Sequence, residues 1–149
     1  MALYGQIIGA SMPKGFAGDI SRGEFDFTTE ARVNNAAAPV SAFGVAVKLN
    51  VADGTVSPVS AGSDAVFGFA VRVFGQADMS GVQNPIKMIT VMRRGYFLAN
   101  VAGTPAAGGQ VYLSSAGALT AASSGGTAIP NAVFVAPAVD GITEIAYNI

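Results

Sequence analysis

The sequence predicts an all-β fold: a small barrel or sandwich of about eight short strands, with an extended arm at the N-terminus. Three observations carry it. From Pro39 onward apolar residues alternate with period two, turn residues separate those runs, and no stretch holds apolar residues at helical spacing over the length of a helix. Alternation of that kind puts every second side chain on one face of a strand, so each run offers one apolar face to a core.

Residues 1–35 are different. They hold seven of the 17 charged residues, Lys14, Asp19, Arg22, Glu24, Asp26, Glu30 and Arg32, with Tyr4, Phe16, Phe25, Phe27 and five scattered glycines. Only Glu24–Thr28 alternates as a short strand would. A stretch with aromatics but no periodic face builds no core of its own, which divides the chain into an arm, 1–35, and a β-domain, 36–149. Two readings of the arm stand: a terminus that is disordered or rests on its own domain, and an arm extended across a neighbouring subunit.

The first strand of the domain puts Phe43, Val45, Val47 and Leu49 on one face and Gly44, Ala46 and Lys48 on the other, and Asp53-Gly54 marks the turn after it. Val66–Phe74 follows, with Phe67, Phe69, Val71 and Val73 on its heavier face. Ile86–Arg93 and Tyr96–Val101 read as two strands parted near Gly95 by a turn or a bulge. Gln110–Leu113 and Ala118–Thr120 flank Ser114-Ser115-Ala116-Gly117, a tight hairpin. Ala132–Ala136 and Ile142–Ile149 form the last pair, joined through Pro137 and Asp140-Gly141. Gly62-Ser63-Asp64 suits the cap of one short helical turn within Ser57–Ala65, and Ser123-Ser124-Gly125-Gly126 reads as a flexible loop. Where both faces are small, as at Gly44/Ala46 and Gly68/Ala70, another backbone can approach closely, or the alanines are plain surface.

Composition narrows the class. At 149 residues the chain suits one domain and can bury roughly 68–70% of its unfolded surface, enough to fold without disulfide or metal. A hydrophobic share of 51% against 11% charged, with a mean hydropathy of +0.48, raises a membrane reading. Residue order rejects it: Ala132–Ala136 stops at Pro137, Gly68 and Arg72 break Phe67–Phe74, and no run nears the roughly 20 apolar residues of a spanning helix. No cation precedes Lys14 and no apolar block follows the start, so no signal peptide is expected and the chain reads as intracellular and soluble or as part of an assembly. The net charge is −1, the pI is near 5.1 and the longest cationic run is Arg93-Arg94, which argues against nucleic acid as a partner.

Catalytic chemistry lacks its parts. With no Cys, His or Trp there is no thiolate or imidazole zinc site, no histidine-based nucleophile and no tryptophan platform for a sugar. Asp19, Glu24, Asp26 and Glu30 fall within twelve positions, but Arg22 and Arg32 are interleaved and the spacing is not that of a calcium loop. Ion pairs, in solvent or across subunits, are the expectation; no metal, no cofactor and no enzyme activity are expected. Gly5 and Gly9 have small-xxx-small spacing without the apolar helix that gives it meaning. Arg93-Arg94 at a strand end should send one guanidinium inward and one outward, and Met88 and Met92 read as core or interface filler.

The order of these features resembles a known family. Pro39-Val40-Ser41-Ala42-Phe43-Gly44-Val45-Ala46-Val47, Phe67-Gly68-Phe69-Ala70-Val71, Gly95 with its strand, Gly108-Gly109-Gln110-Val111-Tyr112, Gly117-Ala118-Leu119-Thr120, Ile129-Pro130-Asn131-Ala132-Val133-Phe134 and the terminal strand are similar to the structural cement, or head-decoration, proteins of tailed bacteriophages. The likeness covers roughly residues 36–149. It implies a small β-barrel or β-tulip domain with an N-terminal arm, present as a homotrimer that clamps major capsid protein subunits from the outer surface of the virion. No cofactor, nucleic acid or membrane is implied, and the protein would be made in the host cytoplasm. On that reading Tyr4, Phe16, Arg22, Phe25, Phe27 and Arg32 are the candidate capsid-binding residues, because they join hot-spot residue types to a segment without its own core. The alternative is a tail- or surface-associated β-domain that recognises a receptor or glycan.

Overall fold

The computed structural model describes residues 15–22, 26–72 and 87–149. Among them lie nine strands and no helix: β1 (Thr28–Val33), β2 (Ala46–Leu49), β3 (Val56–Pro58), β4 (Gly68–Val71), β5 (Met88–Asn100), β6 (Gln110–Leu113), β7 (Leu119–Thr120), β8 (Thr127–Phe134) and β9 (Ile142–Tyr147). They form one sheet in the order β3-β2-β4-β5-β9-β8-β6-β7, with β1 joined to β5 off that path. All of these strand ladders are antiparallel, and the sheet curls into an open half-barrel, the barrel-like all-β fold expected.

The spine is β5, 13 residues long. Its N-terminal half pairs with β4 on one edge and β1 on the other, since Met92 opposes both Phe69 and Thr29. Its C-terminal half pairs with β9, and Phe97 also bridges Ile20. The strand runs straight through Gly95, so the two separate strands expected there are one. Glycine is still required: φ is +142°, and a Cβ would lie 2.7 Å from Cβ of Phe27. Gly95 marks a change of neighbours, not a turn.

Alternation then builds two cores. Ala46, Phe69, Val71, Met92, Phe97, Ile145 and Tyr147 point into the curl with Val111, Leu113, Ile129 and Phe134. The ring of Phe69 sits 4.5 Å from that of Phe97 and 4.9 Å, edge-on, from that of Tyr147. On the opposite face of β2, β4 and β5, a smaller cluster gathers Val47, Ala70, Ile89 and Val91 beneath Val40 and Phe43. Both faces of these central strands are covered, which explains why their alternation is weak at Ala46 and Ala70. Phe67 departs from the heavier face expected for it and joins this second cluster. It precedes β4, and its N–H donates to Val47 O at 2.8 Å.

Three further features differ from the sequence expectations. Val56–Pro58 is a strand that alternation is too short to reveal. No helix forms in Ser57–Ala65; Asp64 instead reaches back to accept from the N–H groups of Ser60 and Ala61, closing a turn. The eighth strand begins at Thr127, five residues before its expected start at Ala132.

Candidate functional site

Two of the candidate residues, Phe16 and Arg22, lie on the N-terminal segment where it meets β4, β5 and β9. Residues 18–21 lie along β5: Gly18 N–H donates to Leu98 O at 2.7 Å, Leu98 N–H to Asp19 O at 2.9 Å and Ser21 N–H to Tyr96 O at 3.1 Å. Arg72 N–H donates to Gly18 O at 2.7 Å, so the strip continues the edge that β4 begins. This close approach depends on small residues. A side chain on Gly18, at φ +87°, would strike Phe43, and one on Gly44, at φ +75°, would lie 2.9 Å from the Gly18 nitrogen. The backbone admitted by Gly44 is the chain's own N-terminal segment.

Side chains then tie the strip down at both ends. Asp19 accepts from the Phe16 N–H at 2.8 Å, and its other oxygen lies 2.8 Å from Arg72 Nε. Arg22 grips Glu144 of β9 with two bonds, Nε at 3.0 Å and Nη2 at 3.2 Å, while Ser21 donates to the same carboxylate at 2.6 Å. The Arg22 guanidinium also lies 4.2 Å above the Tyr96 ring. The hydrogen bond to Glu144, then its charge, holds the Arg22 pKa above its ordinary value. Ser21 beside a carboxylate is no nucleophile pair. The Glu144 carboxylate is taken up by Arg22, and the chain has no His to serve as base.

Four of the candidate residues lie among those described. Phe16 is 68% exposed, with Arg72 5.3 Å from its ring centre. Arg22 is engaged with Glu144 as described. Phe27 is half-buried and packs against the main core. Arg32, on β1, pairs with Glu30 at 3.2 Å and lies 5.2 Å from the ring of Phe67. Tyr4 and Phe25 lie outside the described residues. The strip therefore carries Phe16 at one end and Arg22 at the other, whereas Arg32 belongs to a different patch. There Arg93 stacks 3.7 Å from the same Phe67 ring and donates to Phe67 O, while Arg94 is exposed. Arg93 and Arg94 thus take the inward and outward places expected of them. Met92 fills the core and Met88 is 53% exposed.

Glu144, Tyr96 and Arg72 are the partners that sequence reasoning did not assign. Beside Arg22 and Tyr96 opens a shallow apolar groove bounded by Asn131, Val133 and Ile149, the last two 38% and 57% exposed. Of the acidic run, Asp19 and Glu30 form ion pairs within the chain, and Glu24 lies outside the described residues. Among the described residues no three carboxylates converge, and no helix is long and apolar enough to cross a membrane.

A chain of the solved structure "The capsid of Myoviridae Phage XM1" is similar to this one with a TM-score of 0.70 and 18% identity, covering 95% of this chain and 94% of that chain. At that identity the likeness speaks to the fold. No curated protein matches the chain. The family described as structural cement protein (E217 gp24/Pam3 gp6) matches residues 4–148, which takes in the strip and β1 as well as the expected span. With that match running over nearly all of the curled sheet, the chain belongs to the phage structural cement protein family.

Proposed function

We propose that this protein is a non-enzymatic capsid cement protein that binds the outer surface of a phage head, bridges major capsid protein subunits and works as a homotrimer. The observation that carries the reading is the family match over residues 4–148. The geometry supports it. A cement protein needs a rigid body and complementary surfaces; the strip on β5 carries exposed Phe16 at one end and, at the other, Arg22 on the rim of the shallow groove with Val133 and Ile149. Phe16, Arg22 and Arg32, with Tyr4, Phe25 and Phe27, remain the proposed contact set. Each specific contact would bury on the order of 1,200–2,000 Å². Joining three copies raises avidity roughly 10²–10⁴-fold over one contact.

The test removes residues 1–14 and, separately, replaces Phe16 with Ala, then measures binding to capsids and the melting temperature of decorated shells. Deletion of 1–35 is the wrong variant, because it also removes β1 and the strip from the edges of β5. Reduced binding and a lower shell melting temperature, with the isolated protein still folded by circular dichroism, are expected. Unchanged values for both variants overturn the arm as the capsid contact.

A further inference from the structure

Asp-Gly occurs twice in the chain, at Asp53-Gly54 and Asp140-Gly141, and Asn-Gly does not occur. Asp-Gly is reactive wherever it is free, because glycine has no side chain to keep its nitrogen from the carboxyl carbon of the aspartate before it. The fold treats the two pairs differently. At the first, the reacting parts are held. Asp53 Oδ1 accepts from the Thr55 N–H at 3.0 Å and from Thr55 Oγ1 at 2.8 Å, while the Gly54 N–H donates to Asn50 O at 2.8 Å. The bond from the Thr55 N–H, then the one from its hydroxyl, also lowers the Asp53 pKa, which depletes the neutral acid. At the second, they are free. Asp140 and Gly141 form the two-residue loop of a hairpin closed by Val139 N–H to Ile142 O at 2.9 Å and Ile142 N–H to Val139 O at 3.0 Å. Their φ values of +52° and +77° are both positive, as a type I′ turn requires. Both residues are exposed, and a Cβ on Gly141 would meet nothing within 4 Å. Among the described residues neither the Asp140 carboxylate nor the Gly141 N–H has a hydrogen-bond partner.

We propose that Asp140 is a self-modification site at which the folded protein converts to isoaspartate, while Asp53 is protected by its turn. The Gly141 nitrogen gives up its proton and adds to the side-chain carboxyl carbon of neutral Asp140. One C–N bond forms, one C–O bond breaks, and a water leaves, closing a succinimide ring. Water then adds to the ring. Breaking the C–N bond at the main-chain carbonyl leaves a free main-chain carboxylate, and the backbone now runs through the side-chain carbon. No atom is gained or lost overall, and nothing is oxidised or reduced. The product carries an extra methylene in the main chain of a loop whose two residues are fixed by the strands on either side. That loop is also tied to the end of β5, since the Val101 N–H donates to Gly141 O at 2.9 Å. Isomerisation therefore loosens the contact between the β9 turn and the spine of the sheet.

The test ages the purified native protein at mildly acidic pH and scores both Asp-Gly peptides by electron-transfer fragmentation, which tells isoaspartate from aspartate at equal mass. A parallel sample is aged in concentrated urea, where neither turn persists. In the folded protein isoaspartate should accumulate at Asp140 at least about tenfold faster than at Asp53. Asp53 reacts only after several hydrogen bonds open, each worth a few-fold to about tenfold in population. In urea the two rates should match. Thr55→Ala, which removes one of the bonds to Asp53, should raise the rate there several-fold and leave Asp140 unchanged. Hydrogen exchange at the Val101 amide should accelerate in the aged folded protein. Equal rates in the folded protein, faster reaction at Asp53, or an Asp140 that stays intact overturns the proposal. A preference for Asp140 that persists in urea also overturns it, because flanking sequence would then be the cause. No capsid enters the measurement, so its failure leaves the proposed function standing.

Discussion

Asp64 accepts from the backbone N–H of Ser60 at 3.0 Å and of Ala61 at 3.1 Å, and faces the Lys48 ammonium at 3.0 Å. The bond from Ser60, then the one from Lys48, lowers its pKa from 3.8 to about 2. Because the folded value lies below the unfolded one, the carboxylate stabilises the fold above about pH 3.8, and that contribution fades as pH falls through about 2. Asp64→Asn should therefore melt below the wild type near neutral pH, and the gap should close toward pH 2, as followed by thermal melts across that range. A gap independent of pH would mean that shape, not charge, holds the turn. Phe69 tests packing in the same terms. It is fully buried between Phe97 and Tyr147, so Phe69→Ala should cost about 3–5 kcal/mol in chemical denaturation, while the exposed Phe16→Ala changes fold stability little.

At the scale of elements, the N-terminal strip depends on β5, and β5 shows how much of the fold the sequence reveals. Alternation at Phe43–Leu49 and Ile142–Tyr147 was legible because each strand declares its own faces locally. The continuity of β5 was not, since glycine within an apolar run reads as a break, and only the crowding of Phe27 and the change of neighbours explain Gly95. β1 was hidden for another reason. Thr-Thr-Glu-Ala-Arg-Val has no apolar face, and it is a strand because distant β5 offers an edge. The same non-local logic concealed Glu144 as the partner of Arg22, while the residue types of Phe16 and Arg22 were enough to nominate them. Gly18→Ala tests the strip directly. With φ at +87° and Phe43 in the way, the substitution should lift residues 18–21 from β5. Hydrogen exchange should then accelerate at the Leu98 amide, bonded to Asp19 O, while the amides of the β5–β9 ladder keep their protection. Uniform acceleration would instead show that strip and sheet open together.

For the molecule as a whole, the half-barrel has a seam, and side chains too large for it would pry it apart. The two ends of the sheet approach through loops: a Cβ on Gly117 would strike Val59 O, and one on Gly62 would lie 3.2 Å from both Ser114 O and Thr127 Oγ1. Gly117 also sits at φ +81°, so both the turn and the closure require it. Among the described residues no ladder joins the ends, and the core beneath the seam is apolar, with Val59, Leu113 and Leu119 in it. Gly117→Val should therefore lower the melting temperature by several degrees, roughly what 1–3 kcal/mol of strain does in a domain of this size. Binding of a hydrophobic dye such as ANS should rise before global unfolding, since the seam opens onto the inner cluster while β5 and its partners stay paired. A rise in dye binding only at the temperature where secondary structure is lost would mean that the seam and the spine form one cooperative unit.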